Sequence, residues 1–340
     1  MYKVGVIGLG SIAAMYNSPG DAAPYCHVGG ILPSRRVQLV AAADLSKAVQ
    51  DRYRERWGKA FPATRYYDSA RAMLDAEKLD IVAVCVRGPH HFPVMMEVIE
   101  AGPRAIFLEK PPSCSLQEMD AMVAAARARR IPITVSYSRH WCPHVLRLEQ
   151  LVRQGLIGEV RRVVGYTGGG FLSYASHTTD LICQFAGYCP AAVFARGRVA
   201  GEVPDGYEPE PNLDAMTIEF ASGILGVQLG VNGDHGGFYC DVYGTKGKVR
   251  AGIYIPPFAC GQDGKPIDLS QHAMPPDASV FAVAYEQIAD HLDGGPPPSC
   301  TDEQFIAVNE IGFAAIESIH ANARIALPNQ RRTRKVFANG

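Results

Sequence analysis

What this chain lacks first is net charge: 33 Lys and Arg stand against 34 Asp and Glu, leaving −1 at pH 7. Without a basic excess it carries no electrostatic footprint for nucleic acid or a membrane surface. Long apolar runs are missing too. Ile81 to Val86 is among the longest, and it falls far short of a membrane span. No C-x-x-C pair occurs among the nine cysteines, an odd number that reads as scattered reduced thiols rather than a disulfide framework. Cytoplasm is the default compartment, and a strand beginning almost at Met1 leaves no room for a signal peptide. No cluster has metal-ligand spacing, since His90 and His91 are adjacent rather than four apart, so no metal is expected. Internal repeats and low-complexity tracts are absent, and 340 residues are too many for one ordinary core.

What is present begins at Lys3. Val4, Val6 and Ile7 make a short apolar run of the kind a parallel strand buried on both faces requires. Gly8, Gly10 and Ala13 then occupy the positions of G-x-G-x-x-A, where a strand turns into a helix. Gly8 permits the turn, Gly10 lets a pyrophosphate approach the backbone, and Ala13 allows close helix–strand packing. The N–H groups of the helix start, at Ser11 and Ile12, would hold the phosphates. Residues 17–34 are rich in Gly and Pro and read as a loop lengthening the first crossover, either a surface excursion, the reading favoured, or a cover over the cofactor or substrate pocket beside the glycine turn, with His27 structural.

Val37 to Ala43 is the second strand, with Asp44 at its carboxyl end. A carboxylate there accepts hydrogen bonds from the adenosine ribose and repels a 2′-phosphate, which favours NAD(H) without excluding NADP(H). The alternative is that Asp44 caps the helix Ser46 to Trp57. Further strands fall at Asp80 to Val86, Arg104 to Leu108 and Ile131 to Tyr137, with helices between them. This alternation predicts a doubly wound parallel sheet over residues 1–137. Right-handed crossovers then set Gly8, Asp44, Arg87, His91 and Lys110 at one rim, the carboxyl ends of the strands. From residue 138 to 340 the texture changes to strand-like segments separated by Gly, Pro and Asn or Asp, which predicts a mostly antiparallel sheet with a few helices. Ser176 reads as the N-cap of a helix closed by Gly187, and Arg331 to Lys335 as a solvated tail.

The ordered series GLGSIA, Asp44, His91, Glu109-Lys110-Pro111, Arg139, Ile157 to Val160, Ser176 to Asp180 and Gly244 to Val249 resembles the glucose–fructose oxidoreductase/inositol dehydrogenase (Gfo/Idh/MocA) family. The resemblance spans nearly the whole chain. It implies an N-terminal Rossmann domain, a C-terminal α/β domain with a large open sheet, and NAD(P)-dependent redox chemistry on sugars, cyclitols and similar polyols. By family analogy it also implies a homo-oligomer, a dimer or tetramer.

The matching positions make His177 the acid/base, since imidazole titrates near neutral pH. Lys110 is the cation that orients substrate and stabilises developing alkoxide charge. Glu109 positions the turn beside the cofactor. Asp180, one helical turn after His177, serves orientation or structure. Arg139 is available to substrate oxygens or to a structural ion pair, and Tyr137 is a second proton donor. The chain departs from the family pattern at two places. Ser173 stands where D-x-x-x-H would place Asp, and it takes over a hydrogen bond to substrate. Val86-Arg87-Gly88 replaces T-P-N and introduces Arg87 as a pocket cation. Ser173 also leaves open a second reading, a non-catalytic dinucleotide-binding sensor or regulatory protein.

Overall fold

The N-terminal apolar run becomes the centre of a sheet. In the computed structural model, which describes residues 1–199, 201–231 and 237–338, Val4, Val6 and Ile7 are buried in β1 (Tyr2–Ile7). With β2 (Val37–Ala43), β3 (Arg65–Tyr67), β4 (Ile81–Val84), β5 (Ala105–Leu108) and β6 (Ile133–Val135) it forms a six-stranded sheet ordered β3-β2-β1-β4-β5-β6. All its pairs are parallel. The order reverses direction between β1 and β4, the switch point at which doubly wound sheets bind nucleotides. Ile7 lies opposite both Ala43 and Val84, Val84 opposite Leu108, and Leu108 opposite Val135. The carboxyl ends therefore come out on one rim.

The chain divides into two compact units, the first made of Met1–Ser113, Glu118–Trp141 and Ala278–Asp302. The last of these segments carries the helix Val280–Leu292, which returns to this unit from far down the chain. It is here that residues 17–34 differ from expectation. Their first part is exposed, but His27–Ile31 is a short helix with every residue buried. Apolar Val28 and Ile31 gain more by packing on Val280–Leu292 than by projecting into water. Ser279 ties the two, its hydroxyl donating to the Pro24 carbonyl at 2.5 Å.

The second unit comprises Cys114–Gln117, Cys142–Asp277 and the chain from Glu303 onward. Its strands are β7 (Val160–Tyr166), β8 (Pro190–Arg198), β9 (Glu208–Pro209), β10 (Asn212–Phe220), β11 (Leu225–Leu229), β12 (Tyr239–Gly244), β13 (Gly247–Gly252), β14 (Phe258–Gly261), β15 (Ile325–Ala326) and β16 (Val336–Phe337). Eight of them form one sheet, ordered β14-β13-β12-β7-β11-β10-β8-β15. It is antiparallel except for the central β7–β11 pair, which is parallel.

The helix Ser176–Ala186 lies on one face of this sheet. Buried Gln228 of β11 holds it there, accepting from the Thr179 hydroxyl at 2.8 Å and donating to the Ala175 carbonyl at 2.9 Å. Pairing then puts Leu225, Val227 and Leu229 on the opposite face, level with Arg162, Val164 and Tyr166 of β7.

Two further expectations are corrected. Ser176 is not an N-cap. A wide turn, Phe171–Ala175, runs straight into the helix, and the Ser176 hydroxyl donates backward to the Leu172 carbonyl at 2.6 Å. The arginine-rich tail is only partly solvated: Arg331, Thr333 and Lys335 are exposed, but the residues between them are held. Arg334 is 5% exposed and pairs with Glu317 and Glu208, Arg332 pairs with Glu310, and Val336 is buried in β16 against β9. Paired acids accept the arginines, which lets the tail pack. All nine cysteines are free thiols, with Cys189 exposed and the others buried. Among the described residues no helix is long and apolar enough to cross a membrane.

Candidate active site

The rim of the parallel sheet collects the first group of expected residues. Gly8 has φ +85°, and a Cβ there would stand 2.8 Å from the Cys85 carbonyl, so the turn needs glycine. Its N–H donates to the Ala43 carbonyl at 2.8 Å. Ala13 is fully buried, as close helix–strand packing requires. The helix that follows is a single wide turn, Ser11–Met15, in which the Met15 and Tyr16 N–H groups reach back five residues. Ser11 and Ile12 open that turn, where no earlier helical carbonyl is available to their N–H groups.

Asp44 joins this turn to β2. One carboxylate oxygen accepts the Leu9 N–H at 2.9 Å and the other the Ser46 N–H at 2.8 Å, while the side chain keeps partial exposure. The helix itself begins at Lys47. At Gly10 an added Cβ would meet nothing within 4 Å, leaving open space over the backbone. A backbone with room for a phosphate beside a partly exposed carboxylate fits a nicotinamide dinucleotide.

Arg87 is exposed just before the helix Gly88–Ala101. His91, in the first turn of that helix, is fully buried with Nδ1 2.6 Å from the Pro111 carbonyl, a contact that requires the proton on Nδ1. Burial is the main influence on its pKa and holds it below the usual imidazole value.

Glu109 and Lys110 directly follow β5. Glu109 is 4% exposed; Oε1 meets His27 Nε2 at 3.1 Å, and Oε2 accepts the Lys110 N–H at 3.3 Å. Burial, the largest influence, pushes its carboxyl up. The His27 hydrogen bond and charge, the Lys110 ammonium and Ser136 together outweigh burial and leave it below the usual carboxylate range. His27 is held in turn by the Tyr285 hydroxyl at 3.0 Å from Nδ1. Lys110 thus leaves the strand from a backbone fixed on a buried, paired carboxylate, with its own side chain half-buried. His27 and Tyr285 are the partners that sequence reading did not assign; they lie 82 and 176 residues from Glu109, and no local pattern links them. Tyr137 and Arg139, after β6, are 0% and 1% exposed, and an Arg139 Nη donates to the Ser138 hydroxyl at 3.0 Å.

The second group sits in the second unit, on the run from Phe171 to Ala186. His177 is half-buried in its first α-helical turn, its ring edge-on to Phe238 at 5.8 Å between centroids. Asp180 is fully buried and accepts from the Tyr188 hydroxyl at 3.1 Å. Ser173 is 4% exposed, and its hydroxyl donates to Glu210 at 2.6 Å. Glu210, between β9 and β10, carries no signal in the sequence.

Comparison with known proteins follows the same division. The pattern of the Gfo/Idh/MocA oxidoreductases, NAD-binding Rossmann fold, matches residues 2–137, and that of the family's C-terminal alpha/beta domain matches residues 151–327. Myo-inositol 2-dehydrogenase of Thermotoga maritima is 24% identical over 73% of this chain and 75% of its own. The rhizopine catabolism protein MocA of Rhizobium meliloti is 22% identical over 97% of this chain and 99% of its own. The WlbA dehydrogenase of Chromobacterium violaceum, solved with NADH and UDP-GlcNAcA, superposes with a TM-score of 0.75 at 19% identity, covering 96% of each chain; that likeness shows the fold. With a strand order, a glycine turn and two domain patterns in agreement, this chain belongs to the Gfo/Idh/MocA family of oxidoreductases.

Proposed function

We propose that this protein is an NAD(H)-preferring dehydrogenase that interconverts a secondary alcohol and a ketone on a sugar, cyclitol or sugar derivative. The observation that carries the reading is the rim of the parallel sheet. Its glycine turn, the partly exposed Asp44 carboxylate and the Lys110 ammonium stand at the ends of β1, β2 and β5. Asp44 would receive the ribose hydroxyls, Gly10, Ser11 and Ile12 the phosphates, and Arg87 adds a cation for them. His91 and Glu109 shape the same rim. A bound nicotinamide dinucleotide supplies the hydride acceptor or donor.

The protein's own part is proton handling and charge. His177 takes the hydroxyl proton at an imidazole nitrogen, and Lys110 sets a positive charge beside the oxygen as it becomes alkoxide-like. Relatives named for myo-inositol oxidation and rhizopine catabolism support a polyol substrate. Cytoplasm is the compartment we propose, in keeping with nine free thiols.

Steady-state absorbance with a panel of cyclitols, aldoses and nucleotide sugars tests the reading. We expect turnover with at least one, and tighter binding of NADH than NADPH, because Asp44 repels a 2′-phosphate. Bound NADH that no member of the panel can turn over would favour the sensor reading. Tighter NADPH binding would sink the role given to Asp44.

The outward sheet face carrying Leu225, Val227 and Leu229 is proposed to join subunits into a dimer or tetramer. Leu225 and Leu229 are 36% and 37% exposed on it. Leu229→Asp is expected to lower the mass in solution measured by light scattering; an unchanged mass argues against that face.

A further inference from the structure

The carboxylate of Glu210 is held on the segment that leads into the His177 helix. Its Oε1 accepts the Leu172 and Ser173 N–H groups at 2.5 and 2.8 Å, and its Oε2 accepts the Ser173 hydroxyl at 2.6 Å. Backbone pairing keeps the two segments together, with Gly170 bridged to Asn212 and the Leu213 N–H on the Gly169 carbonyl at 2.9 Å. The approach leaves no room for a larger residue at 170, where a Cβ would lie 2.3 Å from Glu210 Oε2. Glu210 is only partly exposed, so its charge is less screened than one in bulk water.

Ser173 lies in the wide turn and His177 in the first turn of the helix it runs into, four residues on along one continuous helical run. A fixed negative charge on Ser173 is therefore about one turn from the imidazole. The helix's own acid, Asp180, accepts from the Tyr188 hydroxyl and is fully buried. We propose that Glu210 is a positioning residue for His177: from β9–β10 it supplies, through Ser173, the negative charge that stabilises the imidazolium formed when His177 takes up a proton. Ser173 is then the bracket for a carboxylate that comes from 37 residues away. This rests on the reading of His177 as the base.

The test separates the two claims. Glu210→Gln keeps the volume and one acceptor oxygen but removes the charge. In protein without cofactor, the His177 ring protons are followed by NMR against pH, assigned by their loss in His177→Asn. We expect the His177 midpoint to fall by about 0.5 to 1 pH unit in Glu210→Gln. The double variant Ser173→Asp/Glu210→Gln, which moves the charge to position 173, should restore it. In the working enzyme kcat should fall roughly three- to tenfold in the single variant, with KM little changed, and recover in the double. A midpoint that does not move in Glu210→Gln overturns the inference, whatever the activity. A midpoint that moves as expected in a protein without turnover upholds the coupling and sinks the dehydrogenase reading alone. Should Glu210→Gln not fold, Glu210→Asp, whose shorter side chain draws the charge back, must lower the midpoint, and an unchanged value again overturns it.

Discussion

Alanine at Lys110 or at His177 is expected to slow turnover by about 10²- to 10⁴-fold, while NADH affinity changes far less. The two substitutions remove different things. On the proposed mechanism, Lys110→Ala takes away the ammonium that would stabilise charge growing on the reacting oxygen, an interaction that strengthens toward the transition state and so would enter kcat. On the same proposal, His177→Ala removes the proton acceptor and would leave the hydroxyl proton to water.

Neither change should unfold the protein. Both side chains are half-buried, and the backbone beneath each is held independently. At Lys110 it is held by the buried Glu109. At His177 it is held by a helix that Gln228 fastens to the sheet. Steady-state kinetics with the best substrate, together with nicotinamide fluorescence titration, separate kcat from binding. Full activity in either variant would remove that residue from the mechanism.

The second large effect is on stability. His27→Ala is expected to cost about 3–5 kcal/mol, because it takes from the buried Glu109 charge the imidazole on Oε1 and leaves only Lys110 and Ser136 to hold it. It also opens a cavity. The imidazole packs between Phe107 and Phe281, each with its ring centroid 4.6 Å away, and all three rings are buried. The loss corresponds to a fall of roughly 10 °C in the melting temperature of a unit of this size.

Two controls tie the loss to the charge. Glu109→Gln should cost less than His27→Ala, since a neutral amide tolerates burial better. The double variant should cost less than the sum of the two single ones, because the buried charge is gone when its partner is removed. Thermal unfolding at neutral pH is the measurement. A loss below about 1 kcal/mol for His27→Ala would show that the pair contributes little beyond filling space.

Much of the first unit was legible because its signals are local. Val4 to Ile7, Leu39 to Ala43 and Ile81 to Val86 are apolar runs suited to a sheet covered on both faces, and each supplied a strand of the parallel sheet. Gly8 announces its positive φ by being glycine at a strand end. Asp44 and Lys110 were placed on the rim by counting strands. In the second unit the alternating segments gave β7, β8 and β10 to β13 and the predominance of antiparallel pairs, but not the short strands or the parallel β7–β11 pairing at the centre. Pairing direction depends on which strands meet, and no residue inside either strand encodes it.

What the chain decides by sequence alone is therefore the set of elements, their class, and the residues at their ends, since each follows from side-chain period and from the backbone freedom of a few glycines. Tertiary structure alone decided the partners. It put His27 of the lengthened crossover under Glu109, brought Val280–Leu292 back to the first unit, buried Arg334 of the tail on Glu317, and set Glu210 on Ser173. Each of these joins residues far apart along the chain, where a charge or a polar atom leaving water must find its complement at any sequence distance. Such a need leaves no period to read.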